Sequence, residues 1–392
     1  MALMKLLIIG GTGVLSSAVV NEALKQNIEV TIVNRGKKKN VIPNGVRLIK
    51  ADYRNEAIIK KELAGKHYDA VIDFICFNLK QIEYSINLLH KFADQYIFIS
   101  TTCVYNTSLP GIKNEESEKV LKTWDYSINK WECEKYLVKK GKELGFNYTI
   151  IRPCITYDDT RIPYGIMPPY GYHWTFVARI LEGKPIIRWN GGTTRWNMMR
   201  VEDFAVGVVG VLGNPKAYGE AFNVSGDDSY SWNDVIIALE NLLGKKAVIF
   251  DMSSDEYGNY LSEKKGELTG RSLDQIVDNS KIKSIVKGFS SKYELEEGIR
   301  KTLDAYRAEN YQHGIDWKYD ALTDYIVKKQ CAIKHQKASM YNLGFCDYLG
   351  NSAKIDKKQY YKTFYKDSLW MKVYNKLMLV KGKIRTRCLF SL

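Results

Sequence analysis

LLIIGGTGVLSSAVV, residues 6–20, passes from a short apolar run through Gly10, Gly11 and Gly13 into a helical pattern that continues through SSAVVNEALKQ. Glycines between a first strand and a first helix let the backbone turn tightly and approach a pyrophosphate, which then meets the positive amino terminus of the helix. The spacing is Gly10-x-x-Gly13-x-x-Ser16, so a serine stands where the third glycine of a dinucleotide loop is usual. Serine is small enough to keep helix and strand close. Gly10, Thr12, Gly13 and Val14 are the loop's candidate cofactor contacts.

Outward from this loop the first half alternates strand-like and helix-like runs: EVTIV, VRLIK, NEAIIKKEL, DAVIDFI, KQIEYSINLLHKF, YIFIS, a long helix over about 126–143, and NYTIIR. Short apolar strands alternating with helices predict a Rossmann-type α/β fold, a doubly wound parallel sheet covered on both faces. Residues 1–165 form the expected dinucleotide-binding domain, with segments near 195–225 returning to it. Residues 166–330 form a smaller α/β substrate lobe, and 331–392 a basic, helical extension. YDDTRIPYGIMPPYGYHW, residues 157–174, is irregular and rich in proline, as a binding loop or lid would be.

The second strand ends in VTIVNRGKKK. An NAD-preferring site usually carries an acid there for the ribose 2′-hydroxyl. Asn34 and Arg35 replace it, with Lys37, Lys38 and Lys39 behind them. A guanidinium grips a 2′-phosphate, so NADP is the expected cofactor and NAD the alternative. Asp52, after the third strand, is placed to bond an adenine amino group.

IFISTTCVYN, residues 97–106, ends a strand in hydroxyls and a thiol. Four Tyr-x-x-x-Lys pairs occur, starting at Tyr126, Tyr136, Tyr260 and Tyr325, and only Tyr126 opens a helix 25 residues after Thr101. One helical turn puts Tyr126 and Lys130 on a common face. A nearby ammonium lowers an acid by about 1–3 units, which would let Tyr126 exchange a proton with a sugar hydroxyl or ketone. Thr101 would hold the reacting oxygen, and Lys130 the nicotinamide ribose.

GGTGVLS, STTCVY, YSINK and IIRP together resemble the extended short-chain dehydrogenase/reductase family, the NAD(P)-dependent epimerases and dehydratases of nucleotide sugars. RWNMMRVEDFAVGVV and GEAFNVSGDDSYSW extend the resemblance to about residue 310. The resemblance implies catalytic positions at Thr101, Tyr126 and Lys130, a nucleotide-sugar substrate whose diphosphate Arg195 would bind, a homodimer, and service in polysaccharide synthesis. Family dehydratases carry an Asp-Glu pair after the catalytic threonine. Thr102 and Cys103 stand there, so epimerisation or ketone reduction is expected instead. Cys103 and His173 resemble the thiol–imidazole pair of GDP-fucose synthase-like enzymes and are candidate substrate contacts. Ile155 and Asp158 depart from the residues relatives usually keep for the sugar.

The chain has 392 residues, 45% hydrophobic and 26% charged, as for an ordinary globular protein. Seven cysteines without a C-x-x-C pair and five dispersed histidines argue against a metal site. No apolar cleavage-type region precedes KLLIIGGTG and no run is long enough to span a membrane, which predicts a cytoplasmic protein. Residues 331–392 hold thirteen Lys and Arg against three Asp, a net +10 of the chain's +14. Within them Trp370, Val373, Tyr374 and Leu377 form an apolar stripe among lysines. That stripe suits packing on the body or a second subunit, and also peripheral membrane or protein docking. Nucleic acid is disfavoured as the general partner. The rival reading keeps it: a catalytically silent dehydrogenase-like fold that binds RNA or regulates.

Overall fold

In the computed structural model, which describes residues 3–37, 42–120, 123–310, 314–350 and 352–369, the glycine loop sits at the centre of a seven-stranded sheet. Its first six strands are β1 (Lys5–Ile9), β2 (Glu29–Asn34), β3 (Arg47–Lys50), β4 (Tyr68–Asp73), β5 (Ala93–Ile99) and β6 (Asn147–Pro153). The intervening helices are α1 (Val14–Lys25), α2 (Glu56–Leu63), α3 (Leu79–Leu89) and α4 (Asp125–Leu144). Beyond β6 come β7 (Ile155–Tyr157), α5 (Trp174–Leu181), β8 (Pro185–Trp189), β9 (Arg195–Arg200), α6 (Val201–Gly210) and β10 (Glu220–Val224). The strand order is β10-β6-β5-β4-β1-β2-β3, and every pairing is parallel. Leu6 and Ile8 face one buried layer, Leu7 and Ile9 the other, so β1 is apolar on both sides. The order in which successive strands are added reverses between β1 and β4, where a doubly wound sheet opens a cleft beyond its strand ends.

The rest of the chain contains β11 (Ser229–Ser231), α7 (Trp232–Leu243), β12 (Val248–Met252), α8 (Ser254–Gly258), α9 (Lys265–Arg271), α10 (Ser280–Ile285), α11 (Leu295–Ala308), α12 (Trp317–Ile333) and α13 (Lys354–Phe364); α10 packs on β10 of the central sheet, and the others build the second lobe. Of the segments near 195–225, β10 pairs in the central sheet and α6 packs beside it, whereas β9 pairs with β7 and β11. α12 runs across position 330/331 to Ile333. The irregular loop is confirmed: no helix or strand lies between Tyr157 and Trp174. The stripe from Trp370 to Leu377, with Lys38 and Lys39, lies outside the described residues.

The start of the extension is locked onto the lobe by charge. Arg179 on α5 and Lys184 are fully buried, as are Asp320 and Asp324 on α12. Tyr348 donates to Asp320 at 2.6 Å and Tyr360 on α13 donates to Asp324 at 2.5 Å. Phe345 stacks on Trp317 above them, ring centres 4.9 Å apart. Burial alone would push the Asp324 carboxyl up, but Arg179 and Lys184 outweigh it and hold it below its usual value. Its contribution to stability is therefore present above 3.8 and lost as pH falls through the folded value. Removing one partner of a buried pair costs about 3–5 kcal/mol because the other charge stays behind. Asp324→Asn is expected to lower Tm by roughly 10 °C. A differential-scanning melt within about 2 °C of wild type would show the cluster is energetically idle.

Candidate functional site

Gly10 and Gly11 adopt φ of +113° and +89°, the left-handed region that favours glycine. A Cβ on Gly11 would stand 2.8 Å from Ile32, so the loop approaches β2 more closely than any side chain permits. Ser16 compensates for the missing glycine: it is buried, and its hydroxyl turns back to accept from the Gly13 amide at 2.9 Å. Gly13 caps α1, and Val14 opens it, so their neighbouring amides belong to the unpaired first turn. The Val14 side chain lines a separate groove with Ser17, Asp158 and Arg200.

Beside this loop lies a cavity of about 640 Å³ lined by Gly10, Thr12, Arg35, Asp52, Asp73 and Cys76, among others. Arg35, Lys37, Arg54 and Lys80 contribute cations to its walls. The positive-φ glycines, the helix start and this cavity fit a nicotinamide dinucleotide. Two sequence expectations change in detail. The Asn34 amide does loop-tying work, donating to Gly10 O at 3.2 Å and accepting from Gly36 N at 2.7 Å, rather than standing free for a ribose. Asp52 is gripped by Arg54 through bonds of 3.0–3.2 Å, and the hydrogen bond from that guanidinium holds its carboxyl low.

The hydroxyls after β5 divide the labour. Ser100 donates to Glu134 on α4, which also forms a two-pronged pair with Arg152 of β6, at 3.0 and 2.7 Å. Thr101 accepts from Cys103 N at 3.2 Å, and it lies close enough to the Tyr126 phenol to oppose the rise of its pKa. Ser127 donates to Cys103 O, which fixes the start of α4 against the strand end. The Thr102 carbonyl accepts from Gln275 at 3.0 Å.

Lys130 lies one turn beyond Tyr126, but its ammonium donates to Cys76 O at 2.7 Å and Ile99 O at 2.8 Å, between the rings of Phe77 and Phe98. The expected lowering of Tyr126 by Lys130 is therefore absent. Burial pushes the tyrosine up, with the Cys103 thiol and Tyr170 adding to it, while Thr101 and Arg271 oppose. Burial likewise lowers Lys130, against the pull of Cys76, Cys133, Asp73 and Glu134.

Arg195 does not line the dinucleotide cavity; it is exposed on β9, donating to Ser229, with Asp234 3.7 Å away. The guanidinium beside the reactive groups is Arg271, which no spacing in the sequence singled out. It lies 4.5 Å from the Trp196 ring and 5.7 Å from Trp124, and its charge is felt by Tyr126, Cys103 and Cys154. Its Nε and Nη1 are buried without hydrogen-bond partners among the described residues, and Glu267 is 4.0 Å away. A guanidinium so placed is a docking point for an anion.

Cys103 and His173 are not joined as a proton-exchanging pair. Burial raises the Cys103 thiol, and the groups that modulate it are Arg271, Thr101 and Glu267. His173 Nδ1 accepts from Ile162 N at 3.1 Å, its ring lies near Tyr170, and burial lowers its pKa to about 3. Among the described residues no group of three or more His, Cys, Asp or Glu could hold a metal, and no helix is long and apolar enough to cross a membrane.

A family model, the NAD dependent epimerase/dehydratase family, matches residues 6–225, more than half of the chain. The chain belongs to that family. A chloroplast stem-loop binding protein of 41 kDa from Arabidopsis thaliana is 25% identical over 78% of this family member and 79% of the relative. A 2′-dehydrokanamycin reductase from Streptomyces kanamyceticus is 19% identical over 62% and 67%. The fold matches UDP-glucose 4-epimerase from Thermotoga maritima, solved with UDP-glucose, at a TM-score of 0.64 and 20% identity, covering 78% of this chain and 100% of that one. The architecture is therefore that of the extended short-chain dehydrogenases/reductases.

His173 gives this region a measurable pH dependence. Its folded pKa of about 3 lies below the ordinary 6.5, so its neutral form stabilises the fold fully above 6.5, and that contribution declines as pH falls toward 3. Tm plotted against pH over this interval should be distinctly flatter in His173→Gln than in wild type. Parallel curves would mean that protonated His173 is tolerated in place.

Proposed function

We propose that the chain is a nicotinamide-dependent epimerase or ketoreductase acting at a carbinol of a nucleotide-activated sugar, with Tyr126 as its acid and base. The observation that carries this reading is the start of α4 fixed against the end of β5 by the Ser127–Cys103 bond, which sets Tyr126 beside Thr101, with Lys130 one turn further along α4 bonded to Cys76 O in the loop that walls the cofactor cleft. Gly10, Thr12, Gly13 and Arg35 would hold the dinucleotide, and Lys130 would reach its ribose. When bound, the nicotinamide supplies the hydride chemistry. Thr101 orients the reacting oxygen, and Tyr126 takes or returns its proton. The raised Tyr126 suits proton donation, so the ketone-reducing direction is favoured from the free enzyme. Arg271 binds the substrate's diphosphate, and Trp124 and Trp196 shield that ion pair from water. Thr102 and Cys103 in place of an acid pair support redox or epimerisation over dehydration.

NADP(H) is the preferred cofactor in this reading, because the end of β2 carries Arg35 and no acid. A second reading, an RNA-binding protein with a silent site, draws on the stem-loop binding relative and the +10 extension. Fluorescence titration of the full chain decides the cofactor: NADPH is expected to bind more tightly than NADH, and Arg35→Ala to erase roughly 10–100-fold of NADPH affinity alone. Tighter NADH binding, or equal loss of both in Arg35→Ala, would overturn the NADP assignment.

Turnover is tested by mass spectrometry of UDP-, GDP- and dTDP-sugars incubated with the cofactor. Tyr126→Phe should reduce kcat by about 10²–10⁴ with little change in cofactor affinity. No product from any sugar, together with salt-dependent binding of an RNA hairpin, would favour the second reading.

A further inference from the structure

At the end of β4, Asp73 sits in register with Ile9 of β1, directly beside the glycine loop. Only 1% of its surface is exposed, yet it contributes to the wall of the cofactor cleft. One carboxyl oxygen accepts from the Ile75 amide at 2.9 Å. The other accepts from Ser85 at 2.5 Å and from Tyr96 at 3.3 Å. Ser85 is itself braced by Tyr53 at 3.0 Å and Tyr96 at 2.7 Å. The segment that Asp73 fixes at Ile75 continues into Cys76, whose carbonyl holds the Lys130 ammonium. A hydrogen-bonded chain therefore runs from three buried hydroxyls, through one carboxyl, to the cleft wall and Lys130.

We propose that Asp73 is a positioning residue for the dinucleotide: it fixes residues 74–76 along the cleft, and it favours the bound cofactor most when its carboxyl carries no charge. The inference rests on the reading that this cleft holds a nicotinamide dinucleotide. No cation forms an ion pair with Asp73 among the described residues, and an ionised carboxylate in the cleft wall would repel the anionic dinucleotide. Burial raises the carboxyl above its usual range, and Ser85, Ile75, Lys130 and Tyr96 offset only part of that. The other groups facing it do not imitate this titration. Tyr53 and Tyr96 are pushed up, as is the Cys76 thiol, and Asp52 is held low by Arg54. Arg35, Lys37, Arg54 and Lys80 are cations in the cleft wall. Lys130 is the exception, since burial lowers it, and a variant at Asp73 separates the two.

The sign follows from linkage. An anionic ligand binds best to the protonated form, so affinity is highest at low pH and falls as Asp73 ionises. NADH is the probe, because its diphosphate keeps a constant charge between about pH 5 and 9, unlike a 2′-phosphate with a pKa near 6. The full chain is expected to lose roughly tenfold in NADH affinity as pH rises through the interval in which Asp73 ionises, which lies above the ordinary carboxylate range. Asp73→Asn keeps the shape and should bind NADH with a flat profile. Ser85→Ala removes a donor to the ionised carboxyl, so the decline should move to higher pH. A flat wild-type profile, or a decline that survives in Asp73→Asn and belongs to Lys130, overturns the inference while leaving the cofactor reading intact. No NADH binding at any pH in wild type refutes that reading and this inference with it.

Discussion

Arg152 and Glu134 are both nearly closed off from water, so their pair must be complete or both charges become a liability. It is complete: besides the two-pronged bond to Glu134, Arg152 donates to the Tyr105 hydroxyl at 2.9 Å and the Glu115 carbonyl at 3.1 Å. Tyr105 in turn donates to Asn223 of β10 at 2.6 Å, and the Glu115 carboxylate accepts from the Asn223 amide at 2.8 Å. One guanidinium thus ties together β6, β10, α4 and the segment after β5. Ser100, immediately before Thr101, donates to the same glutamate. This pair braces α4 against the strand end that carries Thr101, and the Ser127–Cys103 bond fixes the helix start that carries Tyr126. Neither residue could be positioned by its own short-range contacts, because one ends a strand and the other begins a helix 25 residues later.

The cleft side obeys a complementary rule. Around Arg152 every charge is compensated, whereas the walls of the cofactor cavity carry cations with few acids to match: Asp52 is taken by Arg54, and Asp73 is engaged with hydroxyls. Such a surplus favours an anionic ligand. Arg271, beside Tyr126 and Cys103, is only loosely matched: Glu267 stands 4.0 Å away, and the guanidinium's buried Nε and Nη1 have no hydrogen-bond partner among the described residues. Rings stacked on it lower the local dielectric, and that strengthens any ion pair it forms. The chain spends its compensated charges on holding strands and helices, and leaves the uncompensated ones where ligands enter.

Much of this was legible in the residues. The glycine loop, the alternation of strands and helices, and the α4 helix read directly because each depends on local pattern: apolar runs, positive-φ glycines and helical spacing. Gly145, with φ of +67°, ends α4 within one residue of the expected point. What the residues did not disclose was direction and partnership. Asn34 stands where an acid for the ribose is usual and lines the cavity, and its amide also ties the glycine loop through Gly10 O and Gly36 N, a role that spacing does not show. Arg195 and Arg271 are both arginines near tryptophans in sequence or space. Only the antiparallel pairing of β9 with β11 turns Arg195 outward to Ser229. Lys130 shares a helical face with Tyr126, but a carbonyl in the loop after β4 and another at the end of β5 claim its ammonium. Long-range acceptors decide such cases, and spacing along one helix cannot anticipate them.

The same distinction governs the C-terminal extension. As a stretch of sequence it is a basic arm, and its charge alone suggests something held out for a partner. Its described part is the reverse. Tyr348 and Tyr360 reach into the lobe to complete the hydrogen bonding of Asp320 and Asp324, which in turn neutralise Arg179 and Lys184. Without those hydroxyls the two carboxylates keep their cations but lose acceptor satisfaction in a site with no water access, where each missing bond costs about 1–3 kcal/mol. Trp317 would at the same time lose the ring of Phe345. The extension up to α13 is thus part of the lobe's core, and its lysines project outward because its tyrosines and phenylalanines point in. A chain cut at residue 331 would disturb the lobe before it tested any partner. Charge-reversing substitutions on the outer lysines of α13, such as Lys358 and Lys362, are the changes that address binding without opening the core.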